Sequence, residues 1–336
     1  MKVVQRYALR LERKKYLVRA WRKGRSLLPV ADRTDTIRPD DILCFATLRN
    51  ERPRLNYFLG YYRDRGVSHF LFVDNDSDDG SREYLAEQAD CSVWTTPESY
   101  KRARFGIDWM NRLLRLHGTG HWCLTVDPDE FLVYPFSDTR PLPALCDWLD
   151  ASSVKSFGTM VLDMYPKGPI TAQPCADGQN PFDIACWFDA GNYMIARSWT
   201  YGNLWIQGGP RARKFFAEAP ERAPALNKIP LVRWQKGFAY SSSTQMLLPR
   251  GLNLVFDEWG GEKTSGVLLH AKFLSTFPEK AAEEMERGQH YAASAEYKAY
   301  YDGLSQNPDL WTRWSERYIN WRQLEILGLM SKGNWA

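Results

Sequence analysis

Ile42-Leu43-Cys44-Phe45-Ala46-Thr47-Leu48-Arg49-Asn50-Glu51 passes from a continuous apolar run to polar side chains within ten residues. An apolar run of this length, bounded by charge, is typical of a strand that is buried on both faces. Pro53 follows at a position that favours the first turn of a helix, and Gly66 supplies a stop signal. This stretch therefore predicts a buried strand that leads directly into a helix.

The same alternation continues along the chain. Short apolar runs at 69–73, 91–95 and 122–126 are typical of buried strands, and the segment at about 103–117 predicts a longer helix. Strands that alternate with helices imply parallel pairing, because each crossover returns the chain to the same edge of the sheet. The sequence predicts an α/β fold: a Rossmann-like mixed, mainly parallel sheet with helices on both faces.

Polar clusters follow three of these strands. Residues 47–51, 74–79 and 127–130 each come directly after an apolar run. In α/β sheets, ligands bind in the crevice beyond the carboxyl ends of the strands. We therefore expect the three clusters to converge in one crevice.

The segment Asp127-Pro128-Asp129 places two carboxylates at the tip of the strand at 122–126. Hard divalent cations prefer oxygen ligands, and Mg²⁺ or Mn²⁺ is typically held by one or two carboxylates together with substrate phosphates. A cation at this position could neutralise a departing diphosphate. The pair alone is a weak signal, since such spacings also occur on solvated loops, but its place at the end of a buried strand strengthens it.

The three motifs in their order resemble those of family 2 glycosyltransferases of the GT-A superfamily, especially a bacterial subgroup that also resembles family 92 enzymes. The motifs are ATLRNE at 46–51, FVDNDSDDGS at 72–81 and DPDEF at 127–131, so the likeness covers about residues 41–135. Beyond residue 150 the best candidate is LHAKF at 269–273.

The resemblance implies a GT-A fold and a metal-dependent transfer that inverts the anomeric centre. The donor would be a nucleotide sugar, expected to be a UDP-sugar, and the acceptor a hydroxyl of a glycan or glycolipid, in surface polysaccharide or glycoconjugate assembly. Together with the basic N-terminal segment and the helical pattern near the C-terminus, this predicts three parts: a basic N-terminal helical arm (1–37), a GT-A glycosyltransferase domain (38–275) and a helical C-terminal extension (276–336).

Carried over residue by residue, the resemblance places Thr47 and Glu51 near the base, Asp74 at the base or ribose, and Arg104 near the ribose or diphosphate. The implied nucleotide-binding residues are Thr47, Arg49, Glu51, Asp74, Asn75, Arg104 and Asp127. The implied ligands of Mn²⁺ or Mg²⁺ are Asp127, Asp129 and His270. Solvated turns, an ordinary helix start and a core histidine are the structural alternatives for Asp74, Arg104 and His270.

An inverting transfer needs a carboxylate that removes the proton from the acceptor hydroxyl. Asp163, Asp189 and Asp257 are candidates, and Asp189 is preferred because the neighbouring Trp187 and Phe188 can stack on a sugar ring. For each, a structural turn remains an alternative. Residues 208–211 are predicted to line the acceptor pocket, with Arg211 and Arg213 facing an anionic acceptor, unless they form a simple turn.

The basic charge is concentrated at the N-terminus. The chain has a net charge of +4, but residues 1–30 hold ten Lys and Arg against Glu12, so the remaining 306 residues hold −5. Nucleic-acid readers spread positive charge over the folded domain, so no nucleic-acid partner is predicted. The segment predicts a basic helix with an apolar stripe at Val4, Tyr7, Ala8, Leu11, Val18 and Trp21. It could either bind an anionic membrane surface or dock on the domain.

Cysteine spacing, targeting signals and missing motifs limit the class of protein and its cellular compartment. The six cysteines form no CxxC pair, and no segment resembles a signal peptide or a membrane span. A cytoplasmic protein is therefore expected, with a peripheral position on the inner face of the plasma membrane as the alternative. The motifs of dinucleotide-binding, P-loop, zinc protease and serine hydrolase proteins are missing. The sequence leaves two alternatives to a glycosyltransferase: a non-catalytic carbohydrate-binding protein, and a metal-dependent nucleotidyltransferase or phosphohydrolase.

Overall fold

The computed structural model describes residues 3–256, 263–275, 300 and 302–335. The predicted base candidate Asp257 and the helix expected from Pro278 therefore lie outside the described residues. Its helices include α1 (Val3–Lys23), α2 (Arg52–Arg63), α3 (Ser81–Glu87), α4 (Ile107–His117), α5 (Leu142–Ala151), α6 (Gly209–Phe215) and α7 (Trp321–Ile326).

Among the described residues, nine strands form the central sheet. They are β1 (Leu28–Ala31), β2 (Ile42–Leu48), β3 (His69–Asp74), β4 (Cys91–Thr95), β5 (Trp122–Thr125), β6 (Glu130–Val133), β7 (Ser156–Asp163), β11 (Asn227–Arg233) and β14 (Ser265–His270). Three two-stranded sheets use β8 (Trp187–Asp189), β9 (Tyr193–Arg197), β10 (Leu204–Gly208), β12 (Ala239–Ser242), β13 (Met246–Leu248) and β15 (Ser315–Arg317).

The strand order of the central sheet is β1-β4-β3-β2-β5-β11-β7-β14-β6. Strands β4, β3, β2 and β5 pair in parallel, and so do β7 and β14, whereas β1, β11 and β6 are antiparallel to their neighbours. Six of the nine strands thus run in one direction. The predicted α/β class with a large mixed, mostly parallel sheet is confirmed and is consistent with a Rossmann-like fold.

Helices cover both faces of the sheet, as predicted. In β2, the side chains of Cys44 and Ala46 belong to one core cluster and those of Leu43 and Phe45 to the other, because successive residues of a strand point to opposite faces. Helices α2, α3 and α5 contribute buried leucines to the first cluster, and α4 contributes Trp109 to the second. The strand is buried on both sides, which explains its continuous apolar sequence.

Both ends of the chain differ from the predicted division. The N-terminal helix is followed by β1, which pairs with β4 at the edge of the sheet, so the predicted arm 1–37 contributes a strand to the domain. In the described part of 276–336, residues 315–317 form β15, which pairs with β8, and Trp321 and Trp335 lie in the main core cluster. The predicted helical C-terminal extension is therefore wrong at residues 315–317, which add a strand to a small sheet. Within the ranges given above, no helix is both long and apolar enough to cross a bilayer.

The hydroxyl of Tyr62 on α2 forms hydrogen bonds with the start of β6, directly after the two carboxylates of the acidic motif. This buried hydroxyl donates to the carbonyl oxygen of Glu130 at 2.8 Å and accepts from the backbone N–H of Leu132 at 3.1 Å. The neighbouring Tyr61 makes one such bond, donating to the carbonyl of Leu132 at 2.8 Å. The start of β6 is thus held by side chains of α2.

Replacing Tyr62 by Phe should lower the free energy of unfolding by about 1–3 kcal/mol, because it leaves a buried carbonyl and a buried N–H without their partner. Tyr61→Phe is the matched control and should cost less, since it removes one bond to a partly exposed site. Urea unfolding followed by circular dichroism measures both; equal losses would contradict the role of the Tyr62 hydroxyl.

Candidate functional site

The register of the sheet brings its acidic residues to one edge. After β5, the chain turns through Asp127 and Asp129 and returns as β6, which is antiparallel to β14 so that Glu130 lies opposite His270. Strand β14 is in turn parallel to β7, and here His270 lies beside Asp163. Residues far apart in sequence therefore meet at the carboxyl ends of β5, β7 and β14.

A chain of four charged or polar side chains runs through this edge. The Nε2 atom of His270 is 3.2 Å from Oδ2 of Asp129, and its Nδ1 is 2.7 Å from Oδ1 of Asp163. The other carboxylate oxygen of Asp163 accepts from Nε of Arg211 at 2.7 Å, on α6. We refer to Asp129, His270, Asp163 and Arg211 as the histidine relay.

The relay keeps its carboxylates ionised although Asp163 is buried and Asp129 is largely buried. Burial raises the pKa of Asp129, but the opposing effects of His270 and Arg54 are stronger and hold that pKa well below its usual range. For Asp163, burial is again outweighed, here by Arg211 and His270, and the pKa falls to about 2. Burial lowers the pKa of His270, and the two flanking carboxylates more than reverse this, so its pKa is raised. The relay is thus an alternation of negative and positive groups.

A second cation neutralises the same loop. Lys228 of β11 places its Nζ atom 2.9 Å from Oδ2 of Asp127 and also donates to Oε1 of Glu130. Burial raises the pKa of the Glu130 carboxyl to about 7 in spite of this lysine. Lys228 was not predicted from the sequence. Its one signal is a lysine within the otherwise mostly apolar strand β11.

Arg54 of α2 joins the first and third polar clusters. Its Nη1 atom lies 3.4 Å from Oδ2 of Asp129 and its Nε 3.6 Å from Oε2 of Glu51. The first and second clusters are joined by the N–H of Asn50, which donates to Ser77 at 3.0 Å. The three polar clusters do converge, as the positions of the strands predicted. Arg54, however, was not identified from the sequence.

Two buried polar atoms near the ends of β2 and β3 have no hydrogen-bond partner in the described part of the chain. Asp74 is fully buried, and its Oδ2 accepts from the N–H of Ser77 at 3.2 Å and the hydroxyl of Thr95 at 3.3 Å. Its Oδ1 and the hydroxyl of Thr47 are buried without a hydrogen-bond partner in the described part of the chain. Buried polar atoms are nearly always paired, so these two atoms are suited to a ligand.

Arg49 and Asn75, which were predicted to contact the nucleotide, stabilise the loop that follows β3. Arg49 donates to the carbonyl oxygens of Asn75, at 2.9 Å, and Asp76. The amide of Asn75 donates to the carbonyls of Thr96 and Glu98 at 2.9 and 3.0 Å. Both side chains therefore shape the turn after β3.

Arg104 has partners of a different kind. Its guanidinium bonds Asp108 at 2.6 and 2.8 Å and the carbonyl of Ser241 at 2.8 Å, and it lies 4.0 Å from the ring centroid of Tyr16. These contacts connect α4 with α1 and with β12. These three partners lie outside the histidine relay.

Both described base candidates are already engaged. Asp189 accepts from Nε and Nη2 of Arg213 at 3.0 and 3.1 Å and from the hydroxyl of Tyr165, and Asp163 lies within the relay. A general base must offer an oxygen to the substrate hydroxyl, and oxygens of both carboxylates already accept hydrogen bonds from arginines. Arg211 and Arg213, expected at an anionic acceptor, are the residues that bind them.

Two atoms of the relay have the spacing of metal ligands. Octahedral Mg²⁺ with bonds of about 2.1 Å needs adjacent ligands about 3.0 Å apart, close to the 3.2 Å between Asp129 Oδ2 and His270 Nε2. The bond from His270 Nδ1 to Asp163 is the outer contact that ligating histidines usually make. His270 Nε2 faces Asp129 as an ion-pair donor in this structure, so it must release its proton before it can ligate a metal. In that state Asp129 and His270 could hold a cation that takes its remaining ligands from Asp127, water or substrate. No cluster of three or more Cys, His, Asp or Glu poised for a metal occurs in residues 3–256, 263–275 or 302–335.

Comparison with known proteins does not assign this chain to a family. The sequence matches no protein-family model and no curated protein.

Lys228→Met should lower the free energy of unfolding by about 1–3 kcal/mol, because it leaves a buried oxygen of Glu130 without its hydrogen-bond donor. The double variant Lys228→Met/Glu130→Gln removes both charges and should recover a large part of this loss. Urea denaturation of the wild type, each single variant and the double variant gives the coupling energy. A coupling near zero would contradict the pairing.

Proposed function

We propose that this protein is a metal-dependent glycosyltransferase with a GT-A fold. It would transfer a sugar, with inversion, from a nucleotide diphosphate sugar, expected to be a UDP-sugar, to a hydroxyl of a glycan or glycolipid. The observation that carries the proposal is the histidine relay at the carboxyl edge of the sheet, with Asp129 and His270 at ligand spacing and the open acceptors of Asp74 and Thr47 on the same edge.

Asp129 and His270 would hold Mn²⁺ or Mg²⁺, together with Asp127. When bound, the cation supplies positive charge that stabilises a departing nucleoside diphosphate. Asp163 would act as a positioning residue, since its bond to Nδ1 fixes the ring orientation and leaves Nε2 directed at Asp129. Arg211 would keep Asp163 ionised and in place.

The loops after β2 and β3 would hold the nucleoside. Asp74 Oδ1 offers an acceptor for an N–H of the base or a hydroxyl of the ribose, and the Thr47 hydroxyl offers a second polar contact. Arg49 and Asn75 would act indirectly by fixing the turn that contains Asp74. Because the acceptors are buried and already oriented, little ordering is needed when the nucleoside binds.

UDP and Mn²⁺ together should raise the melting temperature by several degrees, because a ligand at about 100 times its Kd stabilises by about 2.7 kcal/mol. Asp129→Asn should remove the part that depends on Mn²⁺, whereas Asp147→Asn, an exposed acidic residue away from the relay, should keep it. Thermal unfolding with UDP, Mn²⁺ and both measures this. Equal stabilisation by UDP with and without Mn²⁺ would refute the metal dependence, and stabilisation by free glycans alone would favour a binding protein.

Asp163→Asn should lower turnover of UDP-sugars by about 10–100-fold, the usual effect of losing a residue that orients a metal-bound histidine. Raising the Mn²⁺ concentration should restore much of the rate, since the defect lies in metal affinity. A rate that excess Mn²⁺ does not restore would instead assign Asp163 to proton transfer. Release of a nucleoside monophosphate from a nucleoside triphosphate would replace the proposal with nucleotidyl chemistry.

A further inference from the structure

Helix α1 is fixed to the protein body along one side. The guanidinium of Arg19 bonds the buried Asp108 of α4 at 2.9 Å, and Glu12 accepts from the hydroxyl of Tyr201 at 2.8 Å. Leu9 and Ala20 are the buried apolar residues of this helix. These contacts determine which side of α1 faces solvent.

The solvent side carries the apolar stripe. Five large apolar side chains are exposed to between about half and four fifths: Val4 78%, Tyr7 60%, Leu11 48%, Val18 49% and Trp21 47%. At 100° per residue they fall within a sector of about 100°, opposite Leu9 and Ala20. The predicted apolar stripe therefore faces solvent, and the face of α1 that packs on the domain carries the buried Leu9 and Ala20. We call these five residues the outer stripe.

The charged side chains of α1 that lie beside the outer stripe are cationic. Arg10, Lys14, Lys15 and Arg22 are exposed on the same side of the helix or at its borders. The one acidic residue of α1, Glu12, turns to the inner side and accepts from Tyr16 at 2.7 Å as well as from Tyr201. The outer surface therefore combines aliphatic and aromatic groups with uncompensated positive charge.

Charge complementarity identifies the surface that would cover this helix. Apolar groups with Trp and Tyr suit the boundary between head groups and acyl chains, and Lys and Arg beside them attract anionic lipids. A nucleic acid would use the cations but leave the apolar side chains in water. A second copy of the helix would bring like charges together.

We propose that α1 docks flat on an anionic lipid surface through the outer stripe, while its inner face remains fixed to α4. The aromatic and aliphatic side chains enter the interface, and Arg10, Lys14, Lys15 and Arg22 contact the head groups. The proposal is independent of the glycosyltransferase activity, because it concerns a surface formed by α1 alone.

The test is flotation of the full chain with vesicles of phosphatidylcholine containing phosphatidylserine, and with vesicles of phosphatidylcholine alone. The wild type should float with the anionic vesicles and only weakly with the neutral ones. Tyr7→Ala/Trp21→Ala should weaken binding to anionic vesicles by about tenfold or more, because two aromatic side chains no longer enter the interface. Lys14→Glu/Lys15→Glu should weaken it to a similar degree, and added salt should weaken the binding of the wild type.

Two controls match these variants. Trp314→Ala/Ile319→Ala removes two exposed apolar side chains elsewhere, of 74% and 72% exposure, and Lys236→Glu/Lys332→Glu makes the same change in net charge at exposed lysines outside α1. Both should float like the wild type. Unchanged melting temperatures confirm that none of the four variants loosens the fold.

Several outcomes would overturn the proposal. These are failure of the wild type to float, equal flotation of the Tyr7/Trp21 variant and the wild type, and equal loss of binding in the controls. Dimerisation without lipid that Tyr7→Ala/Trp21→Ala abolishes would assign the outer stripe to a second copy. Binding of a DNA duplex that competes with vesicles and is unaffected by Tyr7→Ala/Trp21→Ala would assign the cations to nucleic acid.

Discussion

The burial of carboxylates at one edge of the sheet constrains much of the rest of the molecule. Asp129, Glu130 and Asp163 are all largely removed from water, and an isolated buried charge is very costly. Their partners His270, Arg211 and Lys228 come from β14, α6 and β11, all later in the chain. The second half of the sequence is thus held to the first by charge pairing as well as by apolar packing.

This constraint explains the unusual middle of the sheet. Strand β11 runs antiparallel between β5 and β7, and that position carries Lys228 to the loop after β5. Edge strand β6 returns beside β14 and sets Glu130 opposite His270. A simple succession of parallel strands would leave the cations on other loops, so the mixed topology is part of how the site is assembled.

The sequence predicted the first half of the fold closely. The runs at 42–47, 69–73, 91–95 and 122–126 became β2 to β5 with ends shifted by no more than one residue, because strands buried on both faces have continuous apolar sequences. Prediction was weaker after residue 150, where short hairpins and loops carry little periodic signal. The helical C-terminal extension was wrong for 315–317, a strand whose pairing with β8 depends on residues more than a hundred positions away.

Taken alone, the sequence determined the α/β class, the convergence of three polar clusters and the two sides of a basic helix, because each follows from local periodicity or from the rule that parallel strands end at one edge. Tertiary structure alone decided which residues neutralise which. In the folded chain Asp163 pairs with His270 and Arg211, Asp189 pairs with Arg213, and Lys228 pairs with Glu130 of the acidic loop. The apolar stripe of α1 faces solvent. The physical reason is that ion pairing and docking depend on distances between strands and helices far apart in the chain, which no local pattern encodes.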